Sequence, residues 1–144
     1  MFNHEKVRIG FTGTSRGMTV DQKGSFTKFI ENIADQLEFH HGDCVGADEE
    51  AHDIIKQLGY PDPIIHPPIK EDKRAFCTSE TIMPAKEYLK RNRDIVDACD
   101  VLIATPHEHI EKVRSGTWST VRYARKRRKK TIIITPDGEI DGEM

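Results

Sequence analysis

The densest run of chemically capable residues lies between Phe39 and His52, FHHGDCVGADEEAH. It admits three uses. His40, His41, Asp43, Cys44, Asp48 and His52 are of metal-ligand type. Asp43, Asp48 and Glu49 could act as acids or bases. Gly42 and Gly46, just ahead of a helix-like pattern, could let a phosphate approach backbone amides. The spacing weighs against metal: adjacent His40 and His41 project to opposite sides of a strand, and no H-E-x-x-H pattern occurs, although Asp48 and His52 share a helix face. No metal is therefore expected, and His41 is expected at a strand end, hydrogen-bonded near a ligand. Asp48 has a plainer alternative as a cap of the following helix.

The elements that must position these residues alternate. Residues 7–12 (VRIGFT) read as a buried strand entering a glycine- and hydroxyl-rich loop, Gly13-Thr14-Ser15-Arg16-Gly17. Thr19 and Gln22 form a T-x-x-Q capping-box signature, and Phe26, Phe29, Ile30, Ile33 and Leu37 mark the apolar face of a first helix. Residues 39–41 make a second strand, and Ala47, Ala51, Ile54, Ile55 and Leu58 a second helix ending at Gly59. Residues 63–66 are a third candidate strand. Residues 67–83 lack periodicity and read as a long loop, either a lid or a solvated connection. Pro84 opens a third helix with the stripe Ala85, Leu89, Asn92, Val96, Cys99, in which Asn92 is the misfit. Residues 101–104 (VLIA) and 131–135 (TIIIT) are strands flanking a helix from Thr117 to about Arg128. The acidic tail, residues 137–144, is expected to fray, leaving residues 1–136 as one domain.

Alternating strands and helices predict an α/β domain with a doubly wound, Rossmann-like parallel sheet and helices on both faces. Ligands in such sheets bind beyond the carboxyl ends of the strands. A chain of 144 residues has room for one core, and its 36% hydrophobic and 32% charged residues suit a soluble globular protein. No apolar run would span a bilayer, and MFNHEKVRIGF lacks the order of a signal peptide, so a cytoplasmic location is expected. Three widely spaced cysteines without a C-x-x-C give no disulfide framework and no cysteine zinc motif. The net charge of -2 exerts no global pull on nucleic acid.

Three loops at the carboxyl edge, GTSRG, HGDCVGAD and RSGTW, combine glycines, hydroxyls and cations at helix starts. None is a G-x-G-x-x-G or G-x-x-x-x-G-K-[ST] fingerprint. Taken together with RNRDIVDACDVLIATP and SGTWSTVRYAR, they resemble the SLOG superfamily, the Rossmann-like group that includes the DNA-processing protein A and the Lonely Guy nucleotide phosphoribohydrolases. The resemblance runs from Val7 to Pro136 and is strongest to small bacterial and phage members. It implies a nucleotide-derived ligand above the sheet and a homodimer; no cofactor is expected. Its first loop corresponds to Gly13, Thr14, Ser15 and Arg16, its second to Gly42, Gly46, Ala47 and Asp48, and its phosphate loop to Ser115, Gly116 and Thr117. Arg91 corresponds to the arginine ahead of the fourth strand. Asn92 then has a reason to interrupt an apolar stripe, by bonding loop backbone at the crevice or by being satisfied locally.

One departure bears on catalysis. The phosphoribohydrolases carry a glutamate in G-G-x-G-T-x-x-E, and Thr120 stands at that position here. Cleaving an N-glycosidic bond needs a carboxylate, which Asp43 or Asp48 would have to supply, with Asp43 the first to test. A nucleotide sensor or sequestering protein and a nucleotide N-glycosidase both remain open. A DNA-binding role is a further alternative, resting on the basic residues 125–130 (RKRRKK), although cations in a last helical turn also complement the dipole. Trp118 is expected in the core rather than as a stacking platform.

Overall fold

A computed structural model describes residues 6–33 and 35–142; the reading of the N-terminal MFNHE and of the last two tail residues lies outside it. β1 (Lys6–Gly13), β2 (Gln36–His41), β3 (Ile64–Ile65), β4 (Thr81–Ile82), β5 (Val101–Thr105), β6 (Lys130–Ile134) and β7 (Ile140–Asp141) form one sheet in the order β4-β3-β2-β1-β5-β6-β7. Every pairing is parallel except β6 with β7. The α/β expectation holds.

Residue parity explains the two layers. Val7, Ile9 and Phe11 of β1, Val101 and Ile103 of β5 and Ile132 and Ile134 of β6 face one cluster with α1 (Val20–Ile33) and α2 (Ala47–Gln57). Leu102, Ala104 and Ile133 face the other, with α3 (Tyr88–Ala98) and α4 (Gly116–Lys126). Such continuous burial is what a parallel sheet covered on both faces requires.

The capping box forms as written: the Thr19 amide donates to Gln22 Oε1 at 3.0 Å and the Gln22 amide to Thr19 Oγ1 at 3.0 Å. Gln22 is itself buried and donates to the carbonyls of Pro106 and Ile134, so one side chain joins α1 to the ends of β5 and β6. α2 ends in a Schellman turn, with Gly59 N–H on Lys56 O and Tyr60 N–H on Ile55 O.

Four expectations change. Leu37 belongs to β2, so the apolar face of α1 stops at Ile33. α3 starts at Tyr88 rather than Pro84, because the Lys86 backbone is engaged elsewhere: its N–H donates to Pro67 O and its C=O accepts from Ile69 N. Its inward face is Arg91, Ile95 and Val96, continued by Cys99, whereas Leu89 is 59% exposed. Residues 67–83 are not featureless, since Thr81 and Ile82 form the edge strand β4. Residues 137–142 do not fray: a turn at Gly138 returns β7 antiparallel onto β6.

Candidate functional site

From β1 the chain winds outward through β2 to β3, and from β5 it winds the opposite way to β6, so β1 and β5 flank a topological switch point. A crevice of about 530 Å³ opens there. Gly13, Thr14 and Ser15 line it from the first loop, Gly42 and Asp48 from the second, Arg91 and Asn92 from α3, and Ser115, Gly116 and Thr117 from the start of α4. The three loops do converge.

The first two loops are joined by their backbones. Thr14 donates its N–H to Thr105 O and accepts at its C=O from Gly17 and Ala47. A Cβ on Gly46, whose φ is +90°, would collide with the Ser15 carbonyl. Gly46 and Ala47 therefore do not line the crevice; they let the loops approach. Arg16 is turned outward, with Nη1 3.2 Å from His107 Nε2, and its N–H bonds the Thr14 hydroxyl.

Arg91 is the floor. It is 5% exposed and donates Nη1 to Gly42 O at 2.5 Å and to His66 O at 3.1 Å, and Nε to Asn92 Oδ1 at 2.7 Å. A Cβ at Gly42 would stand 2.6 Å from that guanidinium, so glycine is required by the close approach. Asn92 is satisfied locally, by Arg91, while also lining the crevice.

The two candidate carboxylates differ. Asp48 lines the crevice, and burial raises its pKa from 3.8 to about 6 against the opposing pull of Arg91. It does not cap α2, whose cap position is Gly46; its Oδ2 accepts from Cys44 N at 3.1 Å. Asp43 is fully buried and faces away from the crevice lining. Its carboxylate takes Arg74 Nε at 2.9 Å and Cys77 N at 3.0 Å, and its carbonyl takes Ala75 N. Asp43 is thus a latch for residues 67–83, which are clipped to the second loop as a wall rather than hung as a lid. Its φ of +59° is a left-handed conformation that Asp tolerates better than most residues.

His41 corrects the expectation of a place near the ligand: it is fully buried under α2, with Nε2 2.9 Å from His52 Nδ1 and Nδ1 accepting from Asp43 N. Burial holds it well below the usual histidine range. His40 points the other way, as the strand alternation required, between Glu38 and His66. Burial lowers the His66 pKa to about 4. Glu38 sits below the usual carboxylate range, because its bonds to His40 and Lys6 outweigh the opposing effect of burial.

At α4, Ser115 Oγ accepts from Trp118 N at 3.2 Å and caps the helix. The Gly116 and Thr117 amides belong to the first turn, which has no intrahelical acceptors, and they adjoin the crevice. Trp118 is buried, its Nε1 on Glu108. Thr120 is turned away, its hydroxyl on Gly116 O and its surroundings the groove between α3 and α4. Much of the basic run is engaged: Arg125 pairs with Glu111, Arg127 with Asp97, and Lys129 donates to Cys99 O.

Lys70, Asp72 and Lys73 from the wall segment, with His107, Glu108 and Arg114 from the loop after β5, also line the crevice. Sequence reasoning missed them because neither segment has periodicity. The long segment's two close lysines were the available signal. No helix is long and apolar enough to cross a membrane among the described residues.

No protein-family model matches the chain, and no curated protein matches it. A solved structure, the molybdenum cofactor binding protein from the phototrophic bacterium Rippkaea orientalis, is similar with a TM-score of 0.64 at 20% identity, covering 91% of this chain and 77% of that one, a likeness of fold.

Proposed function

We propose that the crevice binds an anionic, nucleotide-derived ligand, and that the chain acts as a sensor or sequestering protein of the SLOG type. The observation that carries this reading is the meeting of the amides at the start of α4 with Lys70, Lys73 and Arg114 on one cavity. Phosphate at those amides would leave the remainder of the ligand over Thr12 to Ser15 and the Arg91 floor. The cavity volume suits a ligand of that size. The solved neighbour is described as a molybdenum cofactor binding protein, which supports a small-molecule ligand on such a fold.

Calorimetry with nucleoside mono- and diphosphates tests the reading. Binding is expected, and Arg114→Gln and Lys73→Gln should each weaken it about tenfold, as losing a charge-assisted hydrogen bond would. Binding unaffected by both substitutions would remove the phosphate assignment.

A second reading, nucleotide N-glycosidase, is favoured by Asp48: its pKa of about 6 would let a crevice carboxyl serve as a proton donor near neutrality. Release of free base from nucleoside monophosphates, abolished in Asp48→Asn, is expected on that reading. Tight binding with no base released would leave the binding protein alone.

A further inference from the structure

We propose that His41, His52 and Cys77, beneath the second loop and outside the crevice, form a binding site for a zinc-type divalent metal ion. One ligand atom from each lies within 4.8 Å of the others. The three come from β2, α2 and the segment clipped on by Asp43, so the fold, not local sequence, assembles them. The cluster is distinct from the crevice, whose lining includes none of the three.

The donor set suits the ion: two imidazoles and a thiol are zinc ligands, and a tetrahedral ion would hold such atoms about 3.3 to 3.6 Å apart. His41 Nε2 and His52 Nδ1, now 2.9 Å apart, would separate by roughly half an ångström to admit it. His52 presents Nδ1 to the cluster, which leaves its other ring nitrogen for the outer contact a ligating histidine needs. A surface cavity of about 420 Å³ lined by Glu49, His52, Asp53, Phe76, Cys77 and Thr78 gives a route in. Glu49 and Asp53 make its mouth acidic, against Lys56, which also lines it. Three protein ligands would leave a fourth position for water.

The proton inventory closes. The Asp43 amide donates to His41 Nδ1, so the metal-free ring carries its proton on Nε2 and donates it to His52. Loading moves the ring proton to Nδ1, displaces the Asp43 amide, and releases one proton, that of the Cys77 thiol, as sulfur bonds the metal. Metal at this position would tie β2, α2 and the crevice wall together.

The test uses the full chain stripped with chelator. Titration with Co²⁺ is expected to give a thiolate-to-metal charge-transfer absorption, and titration with Zn²⁺ about one metal bound and one proton released per chain. Cys77→Ser should abolish the absorption, while His66→Gln, which alters the other histidine pair, should leave it. Alkylation of the native wild-type chain, mapped by peptide, needs no variant: Zn²⁺ should slow labelling of Cys77 and not of Cys44. Absence of the cobalt absorption at excess metal overturns the site. So does zinc binding that persists in Cys77→Ser, or Cys77 labelling indifferent to zinc.

Discussion

Asp43 gives the sharpest test of the division between ligand crevice and supporting wall. Its carboxylate is fully buried and holds two donors, Arg74 Nε and Cys77 N. Charged hydrogen bonds contribute about 1.5–3 kcal/mol each, and breaking a buried pair costs about 3–5 kcal/mol. Arg74 is 16% exposed and can recover some water, which places Asp43→Ala near the lower end, about 3 kcal/mol. Alanine at φ +59° adds about 1 kcal/mol of backbone strain. Asp43→Asn keeps an oxygen for Cys77 N and a residue suited to that backbone, and should cost about 2 kcal/mol. At about 2–4 °C per kcal/mol, melting temperature should fall roughly 12 °C for alanine and roughly 6 °C for asparagine. Ligand affinity should fall in parallel, because Lys70 and Lys73 are carried by the segment that Asp43 clips. A thermal melt and calorimetry on the same samples suffice. If Asp43→Asn melts like the wild type while abolishing base release, Asp43 is a catalyst and the latch is wrong.

The remaining predictions concern other parts of the frame. Gly42→Ala places a methyl against the Arg91 guanidinium and should cost about 1–3 kcal/mol, read by denaturant unfolding, with weaker ligand binding because the floor shifts. Gln22→Ala leaves the Pro106 and Ile134 carbonyls without their donor inside the protein and should cost about 2–3 kcal/mol, whereas Gln22→Glu should be worse, since a carboxylate would face two carbonyls. Asp48 has a folded pKa raised from 3.8 to about 6, so its contribution to stability is fully present below 3.8 and is lost as pH rises through 6. That gap corresponds to roughly 3 kcal/mol, so Asp48→Asn should gain on the wild type in melting temperature as pH rises from about 4 to about 6, hold a constant advantage above that, and lose it near pH 4.

Much of the scaffold was legible because it rests on local rules. Thr19 and Gln22 announce their mutual capping three residues apart, and the short β-branched runs VRIGFT and TIIIT, bounded by loop residues, read as strands. The loops at the carboxyl edge follow from that order. What was illegible depends on which distant partner a residue meets. Leu89 has the composition and spacing of a core residue and is exposed, while Arg91 has neither and is buried. Nothing within α3 distinguishes them; the carbonyls of Gly42 and His66, from β2's end and β3's end, do. The start of α3 was likewise decided by the pairing of Lys86 with residues 67–69, not by Pro84.

The same dependence reassigns the opening cluster. FHHGDCVGADEEAH looked like one site with competing uses, because its residues adjoin in sequence. In space β2 and the turn after it divide them: His40 goes to one face, His41 and His52 to the other, and Gly42 and Asp48 to the crevice between. Asp43 stands where these parts meet, its amide on His41 and its carboxylate on the wall segment. A residue so placed is bonded both to the histidine side and to the segment that walls the crevice. A charge-removing change there should therefore alter binding in the crevice and the environment of Cys77 together, whereas Asp48→Asn should alter the crevice alone.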